Sequence, residues 1–252
     1  MNGKTVVFAN QKGGVGKTTT AANLGAYVAE AGKKVLLVDF DPQGNLSSCV
    51  GANRDKPGIY EVIVGKIDIH DALQKSAMEG MDILSSNINL SGASVELINQ
   101  EDREYFLRTH LNGISEEYDY IFIDCPPSLG VLTLNGLVAA DSVIIPLQCE
   151  YFALEGLSLL LKTVKTVQKD LNKELTIDGI LFTMYDSRTR LANEVVQEVS
   201  GYFKDKVFRT IIPRNIRLSE APSHGVPVNL YDKTCIGARS YERLAGEVLK
   251  RV

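Results

Sequence analysis

Cysteine and histidine are scarce in this chain of 252 residues, which has four of the first and three of the second. Cys49, Cys125, Cys149 and Cys235 are far apart and form no Cys-x-x-Cys pair. That spacing argues against a zinc site or a disulfide framework and for reduced, mostly packed thiols. Long apolar runs are missing too. No stretch approaches the ~20 residues of a membrane-spanning helix, and the first residues do not resemble a signal peptide, so a cytoplasmic protein is expected. No Pro/Gly/Ser-rich linker and no internal repeat interrupts the chain, which is expected to form a single domain over 1–252. Basic residues are not in excess either: the formal net charge is −4, and that overall acidity argues mildly against nucleic acid as a partner.

What is present is a chain with 44% hydrophobic residues, enough for a large core. Short, near-continuously apolar runs alternate with helical patterns. Lys4 to Ala9, Val35 to Val38, Tyr120 to Ile123, Val143 to Ile145, Ile177 to Thr183 and Val207 to Ile212 read as buried strands, in the manner of parallel strands covered on both faces. Helices are expected over 18–31, 91–115 with breaks, 132–139, 153–169, 191–203 and 238–250. The alternation predicts an α/β fold, a single-domain P-loop NTPase with a mostly parallel β-sheet and helices on both faces.

The run Gln11-Lys12-Gly13-Gly14-Val15-Gly16-Lys17-Thr18-Thr19-Thr20 lies between the first strand and the first helix. Glycines there let the backbone curl so that successive N–H groups point at phosphate oxygens, and the helix N-terminus adds its dipole. A glycine-rich stretch can also be an ordinary tight turn, but its place between strand and helix favours a phosphate cradle. Lys17 then reaches the β- and γ-phosphates of ATP, and the Thr18 hydroxyl is a ligand for Mg²⁺. The strict pattern has glycine where this chain has Gln11, so the loop is a variant with an extra lysine, Lys12, near its start.

Two strand ends carry carboxylates. Asp41, in Val38-Asp-Phe-Asp-Pro-Gln-Gly-Asn45, lies just past the second strand, where it can face the γ-phosphate and position an attacking water, or simply form a turn. Asp124 ends the strand Ile121-Phe-Ile-Asp124 in the form of a Walker B site, a place for Mg²⁺, the alternative being a helix or turn cap.

These residues carry a resemblance. The chain resembles the ParA/MinD family of deviant Walker A ATPases, and most closely the short partition ATPases of the ParA/Soj type. The similar stretches are Asn10 to Thr20, Val38 to Asn45, Ile123-Asp-Cys-Pro-Pro-Ser128, Pro146-Leu-Gln-Cys-Glu-Tyr151 and Ile212 to Gly225, which span nearly the whole chain in order. The resemblance implies that Lys12 crosses a dimer interface to the partner's nucleotide, so that two chains sandwich two ATP molecules. It implies that Gly13 stays free of a side chain to let the loops approach, that Asp41 is the hydrolytic aspartate, and that Pro213 and Asn215 contact adenine. Thr19 joins Lys17, Thr18 and Asp124 in holding Mg·ATP. It further implies non-specific binding of double-stranded DNA by the ATP dimer, a nucleoid-associated location, and slow hydrolysis stimulated by a centromere-binding protein of the ParB type.

The charge distribution bears on the DNA partner. Residues 185–252 hold 12 Lys/Arg against 8 Asp/Glu, net +4, which leaves −8 elsewhere. Arg188, Arg190, Arg214, Arg217, Lys233, Arg239 and Arg243 are candidates for phosphate contacts, each with a plain alternative as a solvated charge. Relatives tend to have a basic residue before the Gly-Ala of the last loop, whereas Cys235-Ile236 stand here before Gly237-Ala238. No helix-turn-helix extension precedes the first strand, so operator recognition is not expected. Three rivals are a MinD-like ATPase with a membrane-inserting C-terminal helix, an iron–sulfur protein bridged through thiolates, and an ATP switch with negligible turnover. The C-terminal stripe of Leu244, Val248 and Leu249 is narrow and lacks Trp and Phe, so it is expected to pack on the sheet. Cys125 has no suitably placed second cysteine, and Asp41 weighs against a switch without turnover.

Overall fold

The computed structural model of the chain describes residues 3–97 and 100–251. Seven strands form one sheet: β1 (Lys4–Phe8), β2 (Val35–Asp39), β3 (Leu73–Lys75), β4 (Met81–Leu84), β5 (Tyr120–Asp124), β6 (Ser142–Gln148) and β7 (Thr176–Thr183). Their order across the sheet is β3-β4-β2-β5-β1-β6-β7, parallel throughout except that edge strand β3 pairs antiparallel with β4. The principal helices are α1 (Lys17–Glu30), α2 (Asn45–Cys49), α3 (Ile59–Ile63), α4 (Ile69–Ala72), α5 (Leu90–Glu96), α6 (Phe106–Asn112) and α7 (Val131–Ala139). They continue with α8 (Ala153–Asp170), α9 (Arg190–Phe203), α10 (Ile216–Glu220), α11 (Val228–Tyr231) and α12 (Ile236–Val248).

Alternation along the strands divides the core in two. Val6 and Phe8 of β1, with Val35 and Leu37 of β2, join Leu24 and Val28 of α1 and Tyr241, Leu244 and Val248 of α12 on one face. Val7 and Ala9, with Leu36 and Val38, join Leu137 of α7, Leu157 and Leu160 of α8 and Val195 of α9 on the other. Both faces being buried explains the near-continuous apolar runs at the centres of β1, β2, β5, β6 and β7. Tyr241 is fully buried, and its hydroxyl lies 3.2 Å from Thr20 Oγ1, which ties α12 to the helix that follows the phosphate loop.

Two expectations fail. Residues 207–212 are not a strand. They run beside β7 with Phe208 N donating to Ile180 O at 3.0 Å and Ile212 N to Phe182 O at 2.9 Å, and the ladder does not become regular between these two bonds. Conversely, β3 and β4 carry no strong apolar run: Asp82 interrupts Met81–Leu84, and β3 reads Leu-Gln-Lys at the sheet edge. The helical stretch expected over 91–115 is divided between α5 and α6, and its positions 98 and 99 lie outside the described residues.

The register places the site. Phe8 and Asp39 both pair with Asp124, so the C-terminal ends of β1, β5 and β2 stand level. The chain leaves β1 toward β2 on one side and later fills β6 and β7 on the other, and the crevice at such a switch point is where open α/β sheets bind ligands.

Candidate nucleotide site

The loop after β1 is built around two left-handed glycines, Gly14 at φ 71° and Gly16 at φ 88°, the second serving as the N-cap of α1. A β-carbon disfavours that conformation, so glycine at these positions follows from the curl of the loop itself. The loop is anchored on both flanks. Asn10 donates from Nδ2 to Pro146 O at 2.7 Å and accepts from Lys12 N at 3.0 Å, while Thr183 Oγ1 donates to Val15 O at 2.7 Å. These bonds fix it to the ends of β6 and β7.

Beneath the loop, Lys17 is buried and its Nζ donates to Lys12 O at 3.2 Å. Burial lowers its pKa, opposed by the nearby negative charge of Asp124. Thr18 Oγ1 donates to Asp124 Oδ2 at 2.6 Å. Asp124 is wholly buried, and its Oδ1 has no hydrogen-bond partner. Burial raises its pKa well above the ordinary carboxylate value, and Asp39 raises it further. A buried carboxylate oxygen without a partner, next to a threonine hydroxyl, is a hard-oxygen donor set of the kind Mg²⁺ takes.

Asp41 lies in a turn after β2. Its Oδ1 accepts from Gln43 N at 3.0 Å, and its N donates to Asp39 Oδ1 at 3.3 Å. Asp39 Oδ2 accepts from both N and Oγ of Ser47, each at 2.7 Å, so one buried carboxylate fixes the start of the turn and the first turn of α2. Its pKa is pushed up to about 6 by burial, against those hydrogen bonds. A cavity of 420 Å³ opens between these parts, lined by Gly13, Gly14, Gly16, Lys17, Thr18, Thr19, Asp41, Gln43, Asn45, Pro127 and Met184.

The structure thus brings together Lys17, Thr18, Thr19, Asp41 and Asp124. It places other candidates elsewhere. Lys12 is turned aside into an ion pair with Glu150, whose other oxygen accepts from Gln148 Nε2. Pro213 and Asn215 do not line the cavity. They lie on the segment paired with Tyr185, next to Met184, with Tyr185 N donating to Ile212 O and Arg214 N to Tyr185 O. Asn215 Oδ1 accepts from Arg217 N and so caps α10. Of the basic candidates, Arg188 pairs with Asp186, Arg190 with Glu194, Arg217 with Glu220 and Asp232, and Lys233 with Glu30. Arg214, Arg239 and Arg243 are exposed. Asp39, Asn10 and Glu150 are structural parts of the site to which sequence reasoning gave no role. Asp39 was discoverable as a charge at the end of an otherwise apolar strand.

Comparison with known proteins bears on what such a site belongs to. Residues 3–177 match a family model described as an AAA domain. The chain is 61% identical over 249 residues to the chromosome-partitioning ATPase Soj of Treponema pallidum, covering 99% of this chain and 98% of the relative. It is 53% identical to the sporulation initiation inhibitor protein Soj of Bacillus subtilis, covering 98% of both. The chain belongs to the Soj/ParA family of partition ATPases. Among solved structures, a protein of Mycobacterium smegmatis described as cobyrinic acid a,c-diamide synthase, with an ATP analogue and magnesium bound, superposes with a TM-score of 0.88 at 41% identity, covering 98% of this chain and 94% of that one. That name denotes a different activity, at lower identity than either Soj protein. The same fold therefore holds a nucleotide and Mg²⁺ in a neighbour. As a Soj/ParA ATPase, this chain has its glycine-rich loop, Thr18 and its turn at Asp41 around one cavity, with Asp124 buried beneath Thr18.

Proposed function

We propose that the chain is an ATP-dependent DNA partition ATPase whose working form is a two-fold dimer closed over two Mg·ATP molecules. The observation that carries this reading is the disposition of Lys12 and Gly13. Lys12 is 39% exposed and points away from its own cavity onto a half-exposed Glu150. Gly13 has neither a positive φ nor a crowded position, since a β-carbon there would meet Pro127 at an ordinary 3.6 Å. Nothing within the chain calls for glycine at 13, which supports a need arising from a second chain.

In this mechanism Lys17 exchanges its bond to Lys12 O for the β- and γ-phosphates of ATP, and loop N–H groups bind the remaining oxygens. Thr18 and Asp124 would hold Mg²⁺, which supplies charge neutralisation and fixes the phosphates in line. Asp41 orients the attacking water. Lys12 leaves Glu150 for the partner's nucleotide, where a cation neutralises charge developing on the transferred phosphoryl group. Pro213 and Asn215 take the base. ATP touches both chains only in the dimer and so favours it. The dimer doubles the basic surface of residues 185–252 and binds double-stranded DNA by its phosphates. Hydrolysis, stimulated by a ParB-type partner, releases it from the nucleoid.

The rival readings meet specific obstacles. The apolar residues of α12, Tyr241, Leu244 and Val248, are buried against the sheet, so they are occupied and not free to enter a membrane. No helix among the described residues is long and apolar enough to cross one. Cys125 is 1% exposed and its pKa is raised by burial, unlike a thiolate that bridges two chains through a metal cluster.

The test is binding of the purified chain to non-specific duplex DNA with ATP, ADP or no nucleotide at two salt concentrations, with anionic liposomes in parallel. ATP-dependent, salt-sensitive DNA binding without liposome binding is expected. The reverse pattern would remove the DNA reading.

A further inference from the structure

Arg54 lies in the loop between α2 and α3, far in sequence from the phosphate loop. Its half-buried guanidinium donates from Nη2 to Gln43 O at 2.7 Å and from Nε to Ser86 O at 3.4 Å. It also fills the space that a side chain at Gly44 would take. A β-carbon at that glycine, which sits at φ 64°, would come within 2.5 Å of Arg54 Nε and 2.7 Å of Cζ. The turn that Arg54 grips is the one that carries Asp41: Gly44 N donates to Asp41 O at 2.9 Å, and Gln43 N to the Asp41 carboxylate at 3.0 Å. The other anchor joins the same assembly, since Ser86 N donates to Ser47 Oγ at 2.9 Å and Ser47 is bound to Asp39. Asp41 and Gln43 face the cavity on the inner side of the turn, and Arg54 holds its outer side.

We propose that Arg54 is a positioning residue for ATP hydrolysis, clamping the Gln43–Gly44 turn so that the Asp41 carboxylate is held at the height of the attacking water. This inference rests on the reading of Asp41 as the hydrolytic carboxylate. The guanidinium suits the task because it is planar and has five donors in a fixed fork, so one group can bond two carbonyls on different segments. A lysine ammonium is a single point without that fork. Because Asp41 is bonded to Gln43 N, release of the Gln43 carbonyl lets the carboxylate drift, while Lys17, Thr18 and the loop amides that hold ATP keep their places. The expected signature is therefore a loss of turnover without a loss of binding, about tenfold to a hundredfold for a displacement near 1 Å.

The experiment measures ATP affinity and turnover at saturating Mg·ATP for the full chain and for Arg54→Ala, Arg54→Lys, Gly44→Ala, the double variant Gly44→Ala/Arg54→Ala, and Asp41→Ala as reference. Arg54→Ala should lower kcat at least about tenfold with ATP affinity within about twofold of wild type, and Arg54→Lys should fail to restore it. Gly44→Ala drives a methyl into the guanidinium from the other side and should give the same split. The double variant relieves the clash but keeps the strain of alanine at φ 64°, so its loss should be smaller than the product of the two single losses. Wild-type kcat in Arg54→Ala, equal loss of binding and turnover, or rescue by lysine would each overturn the proposal. If Asp41→Ala itself keeps full turnover, the reading of the site fails instead, and the two failures are separable in one set of assays.

Discussion

Asp39 and Asp124 stand side by side on adjacent strands, both wholly buried; burial raises the pKa of each, and Asp39 raises that of Asp124 further. The folded chain therefore binds their protons more tightly than the unfolded chain does. Their contribution to stability is complete below about pH 4, the unfolded carboxylate value, and for Asp39 it is lost as pH rises through about 6. Without Mg²⁺ the urea midpoint should fall between pH 5 and pH 8, with Asp39 alone accounting for about 1.5 kcal/mol of the loss in that window. Asp124→Asn keeps an oxygen for the Thr18 hydroxyl and removes one of the two charges. It should flatten that pH slope, raise stability at pH 8 by about 1–3 kcal/mol, and abolish the stabilisation that Mg·ATP gives the wild type. A variant less stable than wild type at pH 8 in Mg-free buffer would contradict the buried-charge account. That Lys17, Thr18 and Asp124 meet at one place was legible in the sequence, because phosphate chemistry calls for those types at those spacings. Glu150 and Arg54 were not, since each bonds a segment distant in sequence, and such contacts depend on segments meeting in space.

At the scale of elements, legibility followed burial. β1, β2, β5, β6 and β7 are covered on both faces and could be read from their apolar runs, whereas β3 and β4, toward the edge, carry Gln74, Lys75 and Asp82 and could not. Residues 207–212 have the composition of a strand but bond to β7 only at intervals, through Phe208 N to Ile180 O and Ile212 N to Phe182 O. The last helix is where the element decides function. In α12, Leu244 is 0% exposed and Tyr241 1%, on the same face of the sheet as α1. Arg251 beyond it donates to Asp178 O at 2.6 Å and stacks on Phe208 at 4.1 Å. A membrane-targeting helix can be removed from a folded ATPase; α12 is a wall of the core. Leu244→Ala should destabilise the chain by about 2–5 kcal/mol, and truncation before Ile236 should abolish the cooperative thermal transition, as followed by circular dichroism. A truncated chain that still melts cooperatively and binds ATP would return the helix to a separable role.

For the whole molecule, the net charge of −4 and an affinity for DNA are compatible only if the positive charge is placed on one side. Several cations of residues 185–252 are already engaged, and Arg188 shows how: two of its nitrogens bond Asp186, whose pKa is held down to about 2 by those bonds. Asp186 is thus ionised at pH 7 and competes with phosphate for Arg188. Such exposed pairs are weak and exchange readily. Removing the competitor by Asp186→Asn should strengthen DNA binding about twofold to fivefold, while Arg188→Ala should weaken it and reduce the slope of log K against log salt by about 1 per chain. The proposed dimer would double the count of neutralised phosphates, so that on this reading the wild-type slope with ATP should be about twice that with ADP, and Arg188→Ala should remove about 2 from the first and about 1 from the second. Anisotropy titrations of a labelled duplex across a range of salt read all of these values directly. Equal slopes with ATP and ADP would mean that nucleotide acts on DNA binding by some route other than pairing two basic faces, and the dimer would then have to be argued from Lys12 alone.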